Sequence, residues 1–290
     1  MDAVVERRER LNDAERAELL AEAQSWSARA EREALPEQAR FGLLDGPPVC
    51  HLLGVVDGEV VYAQGRPVDG ALEFVALADR LPEPLLDAVV SCCEERQSSV
   101  RIWTRHVAPE SPGPSCHCTL NLDREILRLS GPVAGHAAGP LPRGLEVTTF
   151  RPGIDENDWL ALNRRSFARH PEQGAVDRHG LDVRIAQAWF DPEGFVLLRQ
   201  AGEMVAFCWT KVHDDPWGAV GEIYVIGVDP AFAGHGLGRI ALLAGLAHLE
   251  RRGLAEVMLY VEADNAPAIG LYRSLGLTES WRDRCWVGTP

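Results

Sequence analysis

Three glycines stand at positions 234, 236 and 238, between the apolar run GEIYVIGV (221–228) and the segment LGRIALLAGLAHLERRG (237–253). They leave backbone N–H groups bare where a helix begins. The positive end of the helix dipole faces the same turn, which suits an anion such as a phosphate. The spacing predicts a helix over 237–252 that turns Leu237, Ile240, Ala244 and Ala247 inward and ends near Gly253. A second strand-to-helix step follows in LYVEADNAPAIGLYRSLGL (259–277), with Asn265 as the cap and Gly276 at the helix end. Glu222 is an acid inside a strongly apolar strand, which favours a role in a site over a place at a solvated edge. Period-2 alternation puts Glu222, Tyr224 and Ile226 on one face.

The turn, the strand before it, and N-x-x-A-x-x-L-Y-x-x-x-G over Asn265–Gly276 together resemble the acetyl-CoA-binding core of the GNAT N-acetyltransferases. That resemblance implies an α/β (α+β) fold, a mixed and mostly antiparallel twisted sheet flanked by helices. It also implies acetyl-CoA as co-substrate. The cofactor would lie along Ile226, Gly227 and Val228, and on Ala233, Gly234, His235, Gly236, Leu237, Gly238 and Arg239. Asn265, Ala266, Pro267, Ala268, Ile269 and Gly270 would complete its binding. The chain departs from the family at Ala233, where Gln or Arg is usual. Backbone N–H groups supply most phosphate contacts, so the departure is tolerable. Arg239 either adds charge there or is simply solvated.

Acyl transfer from a thioester to an amine needs a neutral amine, a stabilised oxyanion and a proton for the leaving thiolate. Glu222 would take the amine proton, directly or through water. Tyr272, in the A-x-x-L-Y segment, is implied to lie near the CoA sulfur and to protonate or orient the thiolate. Its plainer reading is an aromatic side chain packed on a helix face.

The elements that position these residues occur twice. SGPVAGHAAGPLPRG (130–144) is rich in Gly, Pro and Ala and reads as a linker. It divides the chain into a first domain (1–130), a linker (131–144) and a catalytic domain (145–290). Each half opens with a helix, at 10–30 and 155–170. Strands and a turn follow: VCHLLGVV, Asp57-Gly58 and EVVYAQG in the first half, and GFVLLRQ, Ala201-Gly202-Glu203 and MVAFCWTKV in the second. ALEFVAL and GEIYVIGV come next. The halves then diverge. Residues 78–97 hold no glycine, and Pro82 and Pro84 remove two N–H donors. The first half therefore reads as a degenerate GNAT domain without bound cofactor.

FARHPEQG (167–174), AWFDPEGF (188–195) and GEIYVIGVDP, on a tandem layout, carry the resemblance further. They are similar to actinobacterial tandem GNAT enzymes that acetylate the cysteinyl amine of a glucosaminyl-inositol, the precursor of mycothiol. The likeness is close over the second half and thin over the first, where ALPEQAR (34–40) and the strand order match. It implies acceptor contacts from Glu172, Lys211, Glu222 and Tyr260, with Glu37 from the first half. Glu37 and Glu172 read equally well as solvated loop acids, and Tyr260 as core. Lys211 is the sole lysine in the chain. In that family the first half usually keeps a glycine-rich turn, which this chain has lost.

A formal net charge of −14 argues against nucleic acid as partner. It suits a cationic amine, though solubility alone accounts for it. No apolar run is long enough to span a bilayer and the N-terminus lacks a signal core, so a cytoplasmic monomer is expected. The seven cysteines fit no secreted framework. Cys116-His117-Cys118 lacks a second ligand pair, so no metal is expected. Two rival classes remain: a GNAT enzyme for another amine (an aminoglycoside, a polyamine or a protein N-terminus), and a non-catalytic CoA-binding protein.

Overall fold

The computed structural model describes residues 4–30, 34–36, 39, 43, 50–77, 81–136, 139–168, 170, 173–215 and 218–290. The chain forms two compact units. One is Met1–Leu127 with Glu262–Asp264 and Trp281–Pro290; the other is Arg128–Val261 with Asn265–Ser280.

In the first unit β1 (Val4–Arg8), α1 (Asp13–Ala30), β2 (Cys50–Val56), β3 (Glu59–Val68), β4 (Ala71–Ala76), α2 (Glu83–Glu95) and β5 (Ser99–Val107) follow one another. Strands β1 to β4 pair as antiparallel neighbours, and β4 runs parallel to β5. The turns follow from sequence. Asp57-Gly58 and Asp69-Gly70 all adopt positive φ, the conformation that two-residue hairpins require.

The second unit repeats the plan. It contains β7 (Leu145–Thr149), α3 (Glu156–Ser166), α4 (Arg178–Ile185), β8 (Phe195–Gln200), β9 (Glu203–Asp215) and β10 (Gly218–Val228). α5 (Leu237–Arg251), β11 (Glu256–Glu262) and α6 (Ala266–Arg273) complete it. Again the first four strands are antiparallel neighbours and the fifth is parallel to the fourth. Within each unit the strand pairing is thus mixed and mostly antiparallel, with helices.

Two strands cross the expected boundaries. β6 (Asn121–Pro132) runs through position 130, so the segment read as linker begins in a strand. The chain's last strand, β12 (Thr278–Gly288), passes its C-terminal part to the first unit, where Arg282–Gly288 pairs antiparallel with β5. Gly/Pro composition marks irregular chain but carries no information about which sheet a terminal strand joins.

The second core is aromatic. Trp159 on α3 packs edge-on against Phe195, Phe207 and Trp209, and Phe195 stacks on Trp209 at 4.2 Å. On the other face α5 lies close to β9. Its buried residues are Leu237, Ala241, Leu242, Leu243, Gly245, Leu246, His248 and Leu249, while Ile240, Ala244 and Ala247 are only half-buried. The inward face differs from the expected one because the helix settles on Gly245. A Cβ there would stand 2.5 Å from Cys208 Sγ. No helix among the described residues is long and apolar enough to cross a membrane.

Gly245→Ala should therefore destabilise the protein by about 1–3 kcal/mol through overpacking. Gly270→Ala on α6, where a Cβ meets nothing within 4 Å, should be neutral or stabilise by up to about 1 kcal/mol. Thermal denaturation of both variants checks the contrast, and equal midpoints would refute it.

Candidate active site

The site grows from an interruption in the second sheet. β10 pairs with β9 continuously except at Tyr224: Ile223 lies opposite Thr210, and Val225 opposite Trp209. Tyr224 is the extra residue of a β-bulge, which bends the strand and re-aims its side chains. The parallel ladder to β11 holds only Gly221 opposite Val257 and Glu222 opposite Met258. Beyond Glu222 the edge of β10 that faces β11 has no ladder partner among the described residues, so the two strands part there.

The bulge divides the expected shared face of Glu222, Tyr224 and Ile226 after Tyr224, because one extra residue resets the period of two: Glu222 and Tyr224 both meet Lys211, whereas Ile226 lies opposite Cys208, on the side of α5. Tyr224 packs on Trp189 (5.0 Å) and Trp209 (5.3 Å), and Arg184 Nε donates to its hydroxyl at 3.0 Å.

Glu222 is 8% exposed and Lys211, directly opposite on β9, 6% exposed. His213 lies two residues on, so it shares that face. Its Nε2 stands 2.6 Å from Glu222 Oε2. Burial pushes the Glu222 carboxyl up. The His213 hydrogen bond and the charges of His213, Lys211 and Arg128 outweigh it and hold the group below the ordinary carboxylate value. Lys211 Nζ sits over the Trp189 ring at 4.8 Å and the Tyr224 ring at 5.4 Å. Tyr260 follows Met258 by two on β11, shares the face of Glu222 and is 41% exposed, so it is not core.

Tyr272 lies elsewhere, on α6, and is 5% exposed. Its neighbour Cys208 faces α5, on the opposite side of the sheet from Lys211. Burial pushes its phenol up, so it stays protonated through neutral pH. Glu37 and Glu172 lie outside the described residues. The turn after Glu172 is fixed to α3: Asn163 Nδ2 donates to the Gln173 carbonyl at 2.7 Å, and Gln173 Nε2 donates to Asn163 Oδ1 at 3.1 Å.

β10 runs on from there to the glycine turn. Gly234 and Gly236 have φ of +79° and +77°, in the left-handed region that favours glycine. Gly236 is the N-cap of α5, without a side-chain cap and with no acid in the first turn. The unfilled N–H groups and bare dipole fit a phosphate group. Asp229 stabilises the approach, accepting from Ala231 N at 3.0 Å and pairing with Arg165 at 2.7 Å. Arg239 is hydrogen-bonded to Ser274 Oγ at 2.9 Å. Asn265 caps α6 by accepting from Ala268 N.

Among its described residues the first unit shows neither the bulge nor the glycine turn. β4 pairs with β3 without a bulge and with β5 over five successive residues, Ala71 to Val75. Its acid, Glu73, is buried opposite Arg66, whose Nε and Nη2 reach Oε1 at 2.9 and 2.6 Å. The helix α2 starts at a Pro82 cap with a further proline and Glu83 in its first turn.

His213, Trp189, Arg184 and the Arg165–Asp229 pair were not read from the sequence. His213 left a signal there, two residues from Lys211 on an alternating strand, and Trp189 and Asp229 lie within AWFDPEGF and GEIYVIGVDP.

Residues 158–277 match the Acetyltransferase (GNAT) family. The mycothiol acetyltransferase of Thermomonospora curvata is 39% identical over 97% of this chain and 96% of its own length. That of Catenulispora acidiphila is 44% identical over 69% of this chain; the match spans 65% of that relative's length, a little under two thirds. A tandem GNAT protein from the clavulanic acid biosynthesis pathway superposes over 100% of this chain and 99% of its own, with a TM-score of 0.68 at 15% identity. That last likeness speaks for the fold alone.

The depressed Glu222 carboxyl has a consequence for stability. Its contribution is present above the unfolded-state value and is lost as pH falls through the lower folded-state value. The stability gap between wild type and Glu222→Gln should thus narrow as pH falls from about 5 to about 3. Urea unfolding at a series of pH values measures it, and a constant gap would contradict the assignment.

Proposed function

Because the chain belongs to the mycothiol acetyltransferase family of GNAT proteins, we propose that its second unit acetylates a small-molecule amine from acetyl-CoA. The acceptor is the cysteinyl amine of 1D-myo-inositol 2-(L-cysteinylamino)-2-deoxy-glucopyranoside. The observation that carries this reading is the buried Glu222, with Lys211 and His213, where the β10–β11 ladder ends on a strand that runs on to an uncapped, glycine-lined helix start.

Acetyl-CoA supplies an activated acetyl group as a thioester. The backbone of Ile226, Gly227 and Val228 meets its amide-bearing arm as an added strand would. The N–H groups of the turn from Ala233 to Arg239 meet its phosphates. Residues 265–270, at the capped start of α6, complete its binding. Glu222 takes the proton from the acceptor amine. Tyr272, kept protonated by burial, donates to the departing thiolate. Lys211, Tyr260, Glu172 and Glu37 hydrogen-bond the acceptor's hydroxyl groups. A polar pocket of this type rejects analogues lacking those groups. The closed β4–β5 ladder and the proline start of α2 leave the first unit without a cofactor role.

Three measurements on the full chain test the reading. Calorimetric titration with acetyl-CoA should give one site per chain; a stoichiometry near two sinks the single-site assignment. Glu222→Gln should lower kcat about 10²- to 10⁴-fold with little change in acetyl-CoA affinity, followed by loss of thioester absorbance because the acceptor carries its own thiol. Lys211→Ala should raise KM for the pseudo-disaccharide about ten- to a hundredfold and leave a minimal cysteinyl amide unaffected. Equal losses on both acceptors point to a GNAT enzyme for another amine.

A further inference from the structure

The acid of the site is held by a residue to which the family resemblance assigned no role. Glu222 meets charged or titratable groups from two neighbouring elements. β9 brings Lys211 and His213, and β6 brings Arg128. On β11 its register partner is the uncharged Met258. Two of the cations are engaged elsewhere as well. Lys211 Nζ lies over two aromatic rings, and the Arg128 guanidinium reaches Met258 Sδ at 3.1 Å and Ser280 Oγ at 2.9 Å. The hydrogen bond at 2.6 Å comes from His213, whose side chain is only 10% exposed.

We propose that His213 is a positioning residue of the acetyl transfer, holding Oε2 of Glu222 through its Nε2–H so that Oε1 is left to take the amine proton. This rests on the reading of Glu222 as the proton acceptor. An ionised carboxylate is acceptor-only, so the Nε2 that faces it carries the hydrogen. A glutamate whose terminal torsion is free sweeps a broad range of orientations. Fixing one oxygen confines the other, and a base loses rate steeply when it is misplaced by as little as an ångström. The same bond keeps the buried group ionised against the cost of burial, which a proton acceptor requires. No proton needs to travel through the imidazole. The amine proton ends on Oε1, and the His213 hydrogen stays on Nε2.

Three substitutions test it in the full-length chain, with acetyl-CoA and the cysteinyl pseudo-disaccharide. His213→Ala should lower kcat about ten- to a hundredfold, the loss of one hydrogen bond to a charged group. KM for the acceptor and the dissociation constant for acetyl-CoA should each change by less than about threefold, because the contacts to both lie on other residues. His213→Gln keeps an N–H donor at similar reach and should recover most of kcat; the shorter Asn should not. A second readout avoids turnover altogether. The Glu222 carboxyl, followed by carbon NMR in glutamate-labelled protein and assigned with Glu222→Gln, should titrate about one to two pH units higher in His213→Ala. An unmoved titration, a kcat near wild type in His213→Ala, or Gln behaving like Ala overturns the proposal. If Ala fails to fold, the Gln and Asn variants carry the comparison, and equal kcat in those two overturns it. Should Glu222→Gln itself turn over at the wild-type rate, the proton-acceptor reading falls first, and that outcome is distinct from any His213 result.

Discussion

Past Glu222, β10 keeps its ladder to β9 and loses its ladder to β11. The extra residue at Tyr224 makes that divergence, and the rest of the second unit is arranged around it. Backbone N–H and C=O groups left unpaired inside a protein are costly, so a sheet does not part without a use for the gap. Here the strand runs on from a buried acid, where the ladder ends, to a bare helix start.

The electrostatics follow from the same geometry. The strand that carries the bulge also carries Glu222, and its neighbour delivers Lys211 and His213 to that face through the two-residue period. A buried ion pair is a poor source of stability, because desolvation offsets much of the attraction. The group makes more sense as chemistry. Burial raises the carboxyl, the hydrogen bond and charges of its neighbours outweigh that and lower it, and the acid stays ionised where water is scarce. Across the sheet, burial acts alone on Tyr272 and keeps its proton on. Burial and charge thus leave one acid ionised and one phenol neutral on opposite faces of the same strands.

The first unit serves as an internal control. It has the same strand directions and an acid opposite a base on the same pair of strands, Glu73 against Arg66. Without a bulge its fourth and fifth strands stay zipped, and the guanidinium grips the carboxylate from two nitrogens. With prolines and Glu83 at the helix start, the features that would welcome a phosphate are replaced by ones that do not. The plan alone does not make a site; the bulge and the glycine turn do.

Local chemistry was legible in the residues themselves. Hairpins at Asp57-Gly58 and Ala201-Gly202, the glycine start of α5, the Asn265 cap and the divergence between the halves each follow from rules that act within a few residues. The acid in an apolar strand was equally visible, and the structure buries it. What the sequence did not carry was anything set by an inserted residue or a distant partner. A bulge at Tyr224 looks, in one dimension, like unbroken alternation, because register belongs to a pair of strands and not to one. The face of α5 was decided by where Gly245 lets the helix settle on Cys208, a contact across 37 positions of chain. The crossing of β12 to the first unit, and the hold of His213 on Glu222, depend likewise on which strands become neighbours. Propensity and capping act along the chain and can be read from it. Register, close approach and charge pairing act between chain segments, and only the folded molecule fixes them.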